Sequence, residues 1–198
     1  AKSIGGGKSS IAGLITREQV FKKAFDTPSS ANLQTTTYYG FGEETVTAIE
    51  AINIIKEEKF EDKAKNIQSL LKPELNRLMS KYPKIIKEFR GSGALFGMFI
   101  MKSNKIINQV INFLPGELFK DPRFLEKLIL SSIIDDLYED SKVLTFTSLG
   151  RDLHLIISPP LIVTREEIDY FVNALDKTLS KGIPSLVGKF CKNKLSKR

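Results

Sequence analysis

Residues 93–102 read GALFGMFIMK, an apolar run broken by two glycines and closed by a lysine. It is far shorter than the roughly 20 residues a bilayer-crossing helix needs. It lacks the spaced polar positions of an amphipathic helix, so the run predicts a strand, with glycine where another group approaches closely. Upstream, Ala64, Ile67, Leu71, Leu75 and Leu78 recur every three or four residues and predict a helix over 61–81, with a bend expected at Pro73. Before that, Val46, Ile49, Ile52 and Ile55 repeat at near-helical spacing. Ala48 and Ala51 leave room for close packing, and Glu43 and Glu44 sit where the helix dipole favours acids.

Downstream, 104–140 reads as mainly helical, with breaks near Pro115–Gly116 and Asp121–Pro122. Segments 143–147 and 153–158 read as strands, the second ended by Pro159–Pro160. Thr164 with Glu167 three residues on spells a capping box. It opens a last helix with Ile168, Phe171, Val172, Leu175 and Leu179 along one stripe. Strands interleaved with amphipathic helices after residue 60 predict an α+β layer domain, one face of its sheet covered by helices.

The 198 residues carry 30 Lys plus Arg against 23 Asp plus Glu, a formal charge of +7. At 41% hydrophobic and 27% charged, the chain is neither disordered nor collagen-like. One cysteine, Cys191, and one histidine, His154, exclude an intramolecular disulfide, a thiolate metal cluster and a histidine-rich metal site, so no metal is expected. No leader pattern or membrane span is read, and a reducing cytoplasmic setting is the expectation. Lys189, Lys192, Lys194, Lys197 and Arg198, with no acid among residues 189–198, form a basic tail. Such a tail can contact nucleic acid or anionic lipid, but a solvated terminus is the expected reading, because Phe190 alone interleaves aromatic surface with the charges.

The chain opens AKSIGGGKSS, a glycine loop. Residues 9–15 read as a short buried strand or extended segment. Thr16 with Gln19 has capping-box spacing, for a helix running to Phe25, and a turn with Pro28 follows. Two readings compete for the loop. In a phosphate-binding P-loop, Gly7-Lys8-Ser9 would be the second half, but Lys2 stands where the first glycine belongs. Alternatively, Lys2 is the chemical residue: an amine projected beside a tight glycine turn can condense with an aldehyde to a Schiff base, and small neighbours leave space for a ring.

AKSIGGGKSSIAGLI resembles the lysine segment of the class III aminotransferases, which depend on pyridoxal 5'-phosphate. FDTPSSANLQTTTYYGFGEETVTAIEAINII is similar to the Thr-aromatic-Gly motif and Ala-rich helix that follow in that family. RGSGALFGMFI at 90–100 resembles its Arg-Gly-x-Gly strand, and SPPLIVTREEID at 158–169 its Pro-Pro-Leu segment. The four landmarks stand in the family's order.

The resemblance implies an α/β chain, a C-terminal fragment of the pyridoxal-phosphate transferase fold. Residues 1–60 would be the end of the large cofactor-binding domain with its connecting helix, 61–188 the small α+β domain, and 189–198 the basic tail. It implies an aldimine on Lys2, which would also move the proton at the substrate α-carbon, and a phosphate contact from Thr37 of the neighbouring subunit, with Thr36 the alternative by one residue. A homodimer follows, acting on an amino donor and a keto-acid or aldehyde acceptor, with no membrane. Where many members carry an arginine for the substrate carboxylate, three residues before Pro-Pro, this chain has Ile156. Arg151 and His154 are the nearby polar residues, His154 read as a half-buried structural histidine. Other readings are an aminomutase or decarboxylase on the same scaffold, or a dimerising remnant without chemistry, since the family's phosphate loop, stacking ring and pyridine-nitrogen aspartate would lie upstream of the lysine.

Overall fold

The computed structural model describes residues 4–30, 42–101, 121, 123–148, 150 and 152–196. The chain divides into two compact units, 1–60 and 61–198. In the first, α1 (Glu18–Phe25) and α2 (Gly42–Glu57) are the regular elements among the described residues. The capping box expected at Thr16 does not form. Arg17 occupies the N-cap of α1, and no side chain there takes up a backbone donor. The apolar stripe of α2 is largely uncovered, Val46 at 68% and Ile49 at 54% exposure, with Ala48 the one buried residue of that helix.

The second unit has a full core. Helix α3 (Phe60–Lys81) buries Ile67, Leu71, Leu75 and Leu78, the stripe its spacing predicts, and contains Pro73. Burying each such side chain contributes roughly 1.5–3 kcal/mol. The expected strand at 93–102 is the second arm of a hairpin, β1 (Ile86–Ser92) and β2 (Leu95–Ile100), turning at Gly93–Ala94. The Gly93 N–H donates to Gln68 Oε1 at 2.5 Å, tying the turn to α3. Strand β1 carries Lys87, Glu88 and Arg90 among its apolar residues, so its sequence shows no clean alternation.

After the hairpin come α4 (Phe124–Ser141), β3 (Phe146–Thr147), β4 (Leu155–Ile157), α5 (Arg165–Ser180) and α6 (Ile183–Ser196). The sheet is antiparallel, in the order β1-β2-β4-β3. Phe96, Met98 and Ile100 of β2 and Leu155 and Ile157 of β4 point to one face. There they meet the buried stripes of α3, α4 and α5 in a single core. The capping box at α5 forms as predicted: the Glu167 N–H donates to Thr164 Oγ1 at 3.2 Å, and the Thr164 N–H to Glu167 Oε2 at 2.8 Å.

Residues 189–196, read from the sequence as the start of a basic tail, are the second half of α6. The correction has an electrostatic cause. Asp136 of α4, only 2% exposed, accepts from Lys181 Nζ at 2.5 Å, Lys189 Nζ at 2.7 Å and Thr178 Oγ1 at 2.9 Å. Asp140, one turn on, accepts from both lysines at 2.7 Å, and Lys194 pairs with Asp135 at 3.3 Å. Cations that look unattached in one dimension are held by acids some 50 residues upstream. The salt-dependent contact surface expected of a free tail is correspondingly reduced.

Candidate functional site

Lys2, Thr36, Thr37 and Arg151 lie outside the described residues. What the first unit does describe is the turn directly after the lysine segment. The Gly5 carbonyl accepts from the Lys8 N–H at 3.0 Å and from the Ser9 N–H at 3.4 Å. Gly6 and Gly7 have φ of 61° and 75°, the left-handed region that a residue with a Cβ enters only at a cost. A Cβ at Gly5 would stand 2.2 Å from the Ser9 carbonyl oxygen. The sequence therefore makes a tight reversal over residues 5–9.

The same hydrogen bonds remove the P-loop reading. That motif holds phosphate on free backbone N–H groups, and here those of Lys8 and Ser9 are spent on Gly5. The groove lined by Gly7–Ala12 is made by six consecutive loop residues and is open to solvent. Residues 10–17 have no regular structure, and Ile15 is 99% exposed, so of the two forms expected at 9–15, a short buried strand or an extended segment, the buried strand is absent. A strand needs a neighbour to take its backbone hydrogen bonds, and among the described residues none pairs with it. Ser9 Oγ is buried without a hydrogen-bond partner among the described residues.

In the second unit, the sheet face opposite the helices carries the other residues singled out by sequence. Phe146, Ile156, Gly97 and Arg90 are cross-strand partners in one row, from β3 across β4 and β2 to β1. The adjoining row contains Glu88 opposite Phe99. His154, just before β4, carries the same alternation and shares the face of Ile156. Its ring lies across Gly97: a Cβ there would come within 2.6 Å of His154 Cδ2.

His154 is half-buried, as expected, and anchored. Nδ1 is 3.0 Å from the Asp152 carbonyl oxygen and 3.0 Å from Ser148 Oγ. A carbonyl only accepts, which assigns the proton to Nδ1 and leaves Nε2 as the acceptor nitrogen, beside Gly97. The imidazole stacks on Phe99 with ring centroids 4.6 Å apart, and the Arg90 guanidinium lies 4.5 Å from the centre of the Phe99 ring. Glu88 Oε1 accepts from Arg90 Nη2 at 2.6 Å, and this contact, with the weaker pull of Asp152, raises the guanidinium's pKa. Sequence reasoning missed Arg90 and Phe99 as partners of His154. Alternation places each on a face, but the register that joins them is a property of the folded sheet.

Among the described residues there is no group of metal-ligating side chains and no helix long and apolar enough to cross a membrane. The family model described as aminotransferase class-III matches residues 1–179. An uncharacterized aminotransferase of Schizosaccharomyces pombe is 23% identical over 181 residues, 91% of this chain but 34% of that protein. The chain thus spans about a third of the length of this curated relative. Among solved structures, a transaminase with L-alanine is 20% identical with a TM-score of 0.66, over 93% of this chain and 40% of that one. An ornithine aminotransferase from Toxoplasma gondii, with pyridoxal phosphate partly occupying its active site, is 21% identical with a TM-score of 0.63, over 89% of this chain and 35% of that one. These likenesses show the fold, part of a transaminase fold with the α/β composition expected from the sequence.

Proposed function

The chain belongs to the class-III aminotransferase family, and on that footing we propose that the whole protein moves an amino group between an amine or amino acid and a keto acid or aldehyde. In this reading residues 1–198 supply its C-terminal third, and pyridoxal 5'-phosphate is the cofactor. The observation that carries the proposal is the family match over residues 1–179. The tight glycine turn and the orphaned Ser9 hydroxyl are the described features that fit such a group.

Bound pyridoxal phosphate supplies an electron sink for the substrate's α-carbon. Lys2 holds the cofactor covalently, then carries the proton at that carbon as base and acid. Thr37, or Thr36 one residue earlier, gives a hydroxyl to the cofactor phosphate of the neighbouring subunit, and this reading makes the active species a homodimer. Ile156 favours a substrate that presents no carboxylate at that point of β4, because an isoleucine cannot pair with an anion.

Reduction with borohydride in the presence of pyridoxal phosphate, followed by peptide mass analysis, tests the assignment. A pyridoxyl group on Lys2, lost in Lys2→Ala, is the expected result. Retention of label in Lys2→Ala defeats the assignment, and no label on the full-length protein leaves the dimerising remnant. Product analysis separates the transaminase, which consumes an amino acceptor stoichiometrically, from an aminomutase or decarboxylase.

A further inference from the structure

The outer face of the β1-β2-β4-β3 sheet is polar at one end and apolar at the other. Arg90 ends one cross-strand row, with its side chain 54% exposed. Phe146 ends the same row on β3 at 60% exposure, with Ile156 beside it. From Arg90 to Ile156 is two strand spacings, roughly 10 Å. Between them Gly97 contributes no side chain, and the His154 imidazole lies over the gap, held through Nδ1 with Cδ2 and Nε2 beside Gly97.

We propose that this face binds a small organic acid with an apolar body, its carboxylate on Arg90 and its hydrocarbon over His154, Ile156 and Phe146. Arg90 is suited to the task because stacking on Phe99 fixes the guanidinium plane, and planar, pre-set donors match the two oxygens of a carboxylate. Among the described residues Glu88 engages Arg90 through Nη2, and the guanidinium's other N–H groups are the ones the ligand would take. Opposing this, the charges of Glu88 and Asp152 stand close to the guanidinium. The hydrocarbon end must therefore supply part of the affinity, and a bare small anion such as acetate binds weakly. An apolar alcohol lacks the group that Arg90 recognises.

The site does not depend on the role given to Lys2. It is tested on the full 198-residue chain without cofactor, so failure of the aminotransferase reading leaves this outcome untouched. The probe is 4-phenylbutyrate, followed by heteronuclear NMR, with 4-phenylbutanol as the uncharged control. The expected result is saturable shifts centred on Arg90, Phe99, His154 and Ile156, and affinity for the alcohol at least about tenfold lower, the usual worth of a charged hydrogen-bonded pair. Arg90→Gln should lose about tenfold or more, and Ile156→Asp, which puts a like charge at the hydrocarbon end, should lose binding while keeping Arg90. Equal affinity for acid and alcohol, unsaturable shifts, or wild-type binding by a folded Arg90→Gln or Ile156→Asp variant overturns the proposal.

Discussion

At Gly97 one methyl group is enough to disturb the outer sheet face, because an added Cβ would meet the imidazole of His154 at 2.6 Å. The ring cannot swing aside freely, since Nδ1 is bonded to Ser148 and Asp152. We expect Gly97→Ala to cost about 1–3 kcal/mol, the usual toll of overpacking. Adding His154→Ala should recover most of it, so the pair will be strongly non-additive in urea denaturation. Additive losses would mean that the ring is not what the methyl group meets. The shared face of Ile156 and His154 was legible in the sequence, because alternation along a strand fixes it. The Arg90–Phe99–His154 stack was not, because it depends on cross-strand pairing between segments more than 50 residues apart.

Between elements, two carboxylates of the second unit each gather several donors from neighbouring helices. Asp176 of α5 accepts from Lys81 Nζ at 2.7 Å, from Arg77 Nη1 at 3.2 Å and from the Tyr82 hydroxyl. Asp136 joins α4 to the last two helices, as described above. Burial raises the carboxyl pKa of Asp176, but the bonds from Lys81, Tyr82 and Arg77 outweigh it and bring the carboxyl to about 2. Asp140 also stands at about 2, drawn down first by its bond to Lys181 and then by Lys189. Both lie below the unperturbed 3.8, so the folded chain binds fewer protons than the unfolded one. Their contribution is complete above about pH 4 and is lost as pH falls towards 2. The urea midpoint should fall across that window in the wild type and fall less in Asp140→Asn and Asp176→Asn; identical slopes would remove these groups as the cause. Asp136→Ala, which leaves the two lysines to Asp140 alone and takes the acceptor from the buried Thr178 hydroxyl, should cost about 1–3 kcal/mol. Thr164→Ala should cost about 1 kcal/mol through the lost cap of α5, read from thermal midpoints. The cap was legible because both its partners are local in sequence. The second half of α6 was not, since its cations are held by the distant acids of α4.

At the scale of the whole molecule, the two units differ in how much they bury. Among the described residues, the buried apolar side chains other than Ala48 all belong to 61–198. A chain of residues 61–198 should therefore unfold cooperatively by itself, with a single sigmoidal transition by circular dichroism. A featureless, non-cooperative melt would show that the core needs residues 1–60. The order of helices and strands was legible from periodicity wherever one face is buried, as in α3 and α5. It misled over 9–15, where apolar residues predicted burial and Ile15 stands almost wholly exposed. The P-loop alternative was decided by hydrogen bonds that composition does not reveal. Family membership was legible from four ordered landmarks, whereas the chemistry assigned to Lys2, Thr36 and Thr37 rests on those landmarks alone. The most direct measurement is therefore borohydride trapping on full-length protein supplied with pyridoxal phosphate. The account predicts one pyridoxyl-modified peptide, containing Lys2 and missing in Lys2→Ala; a modified peptide that excludes Lys2 would contradict it.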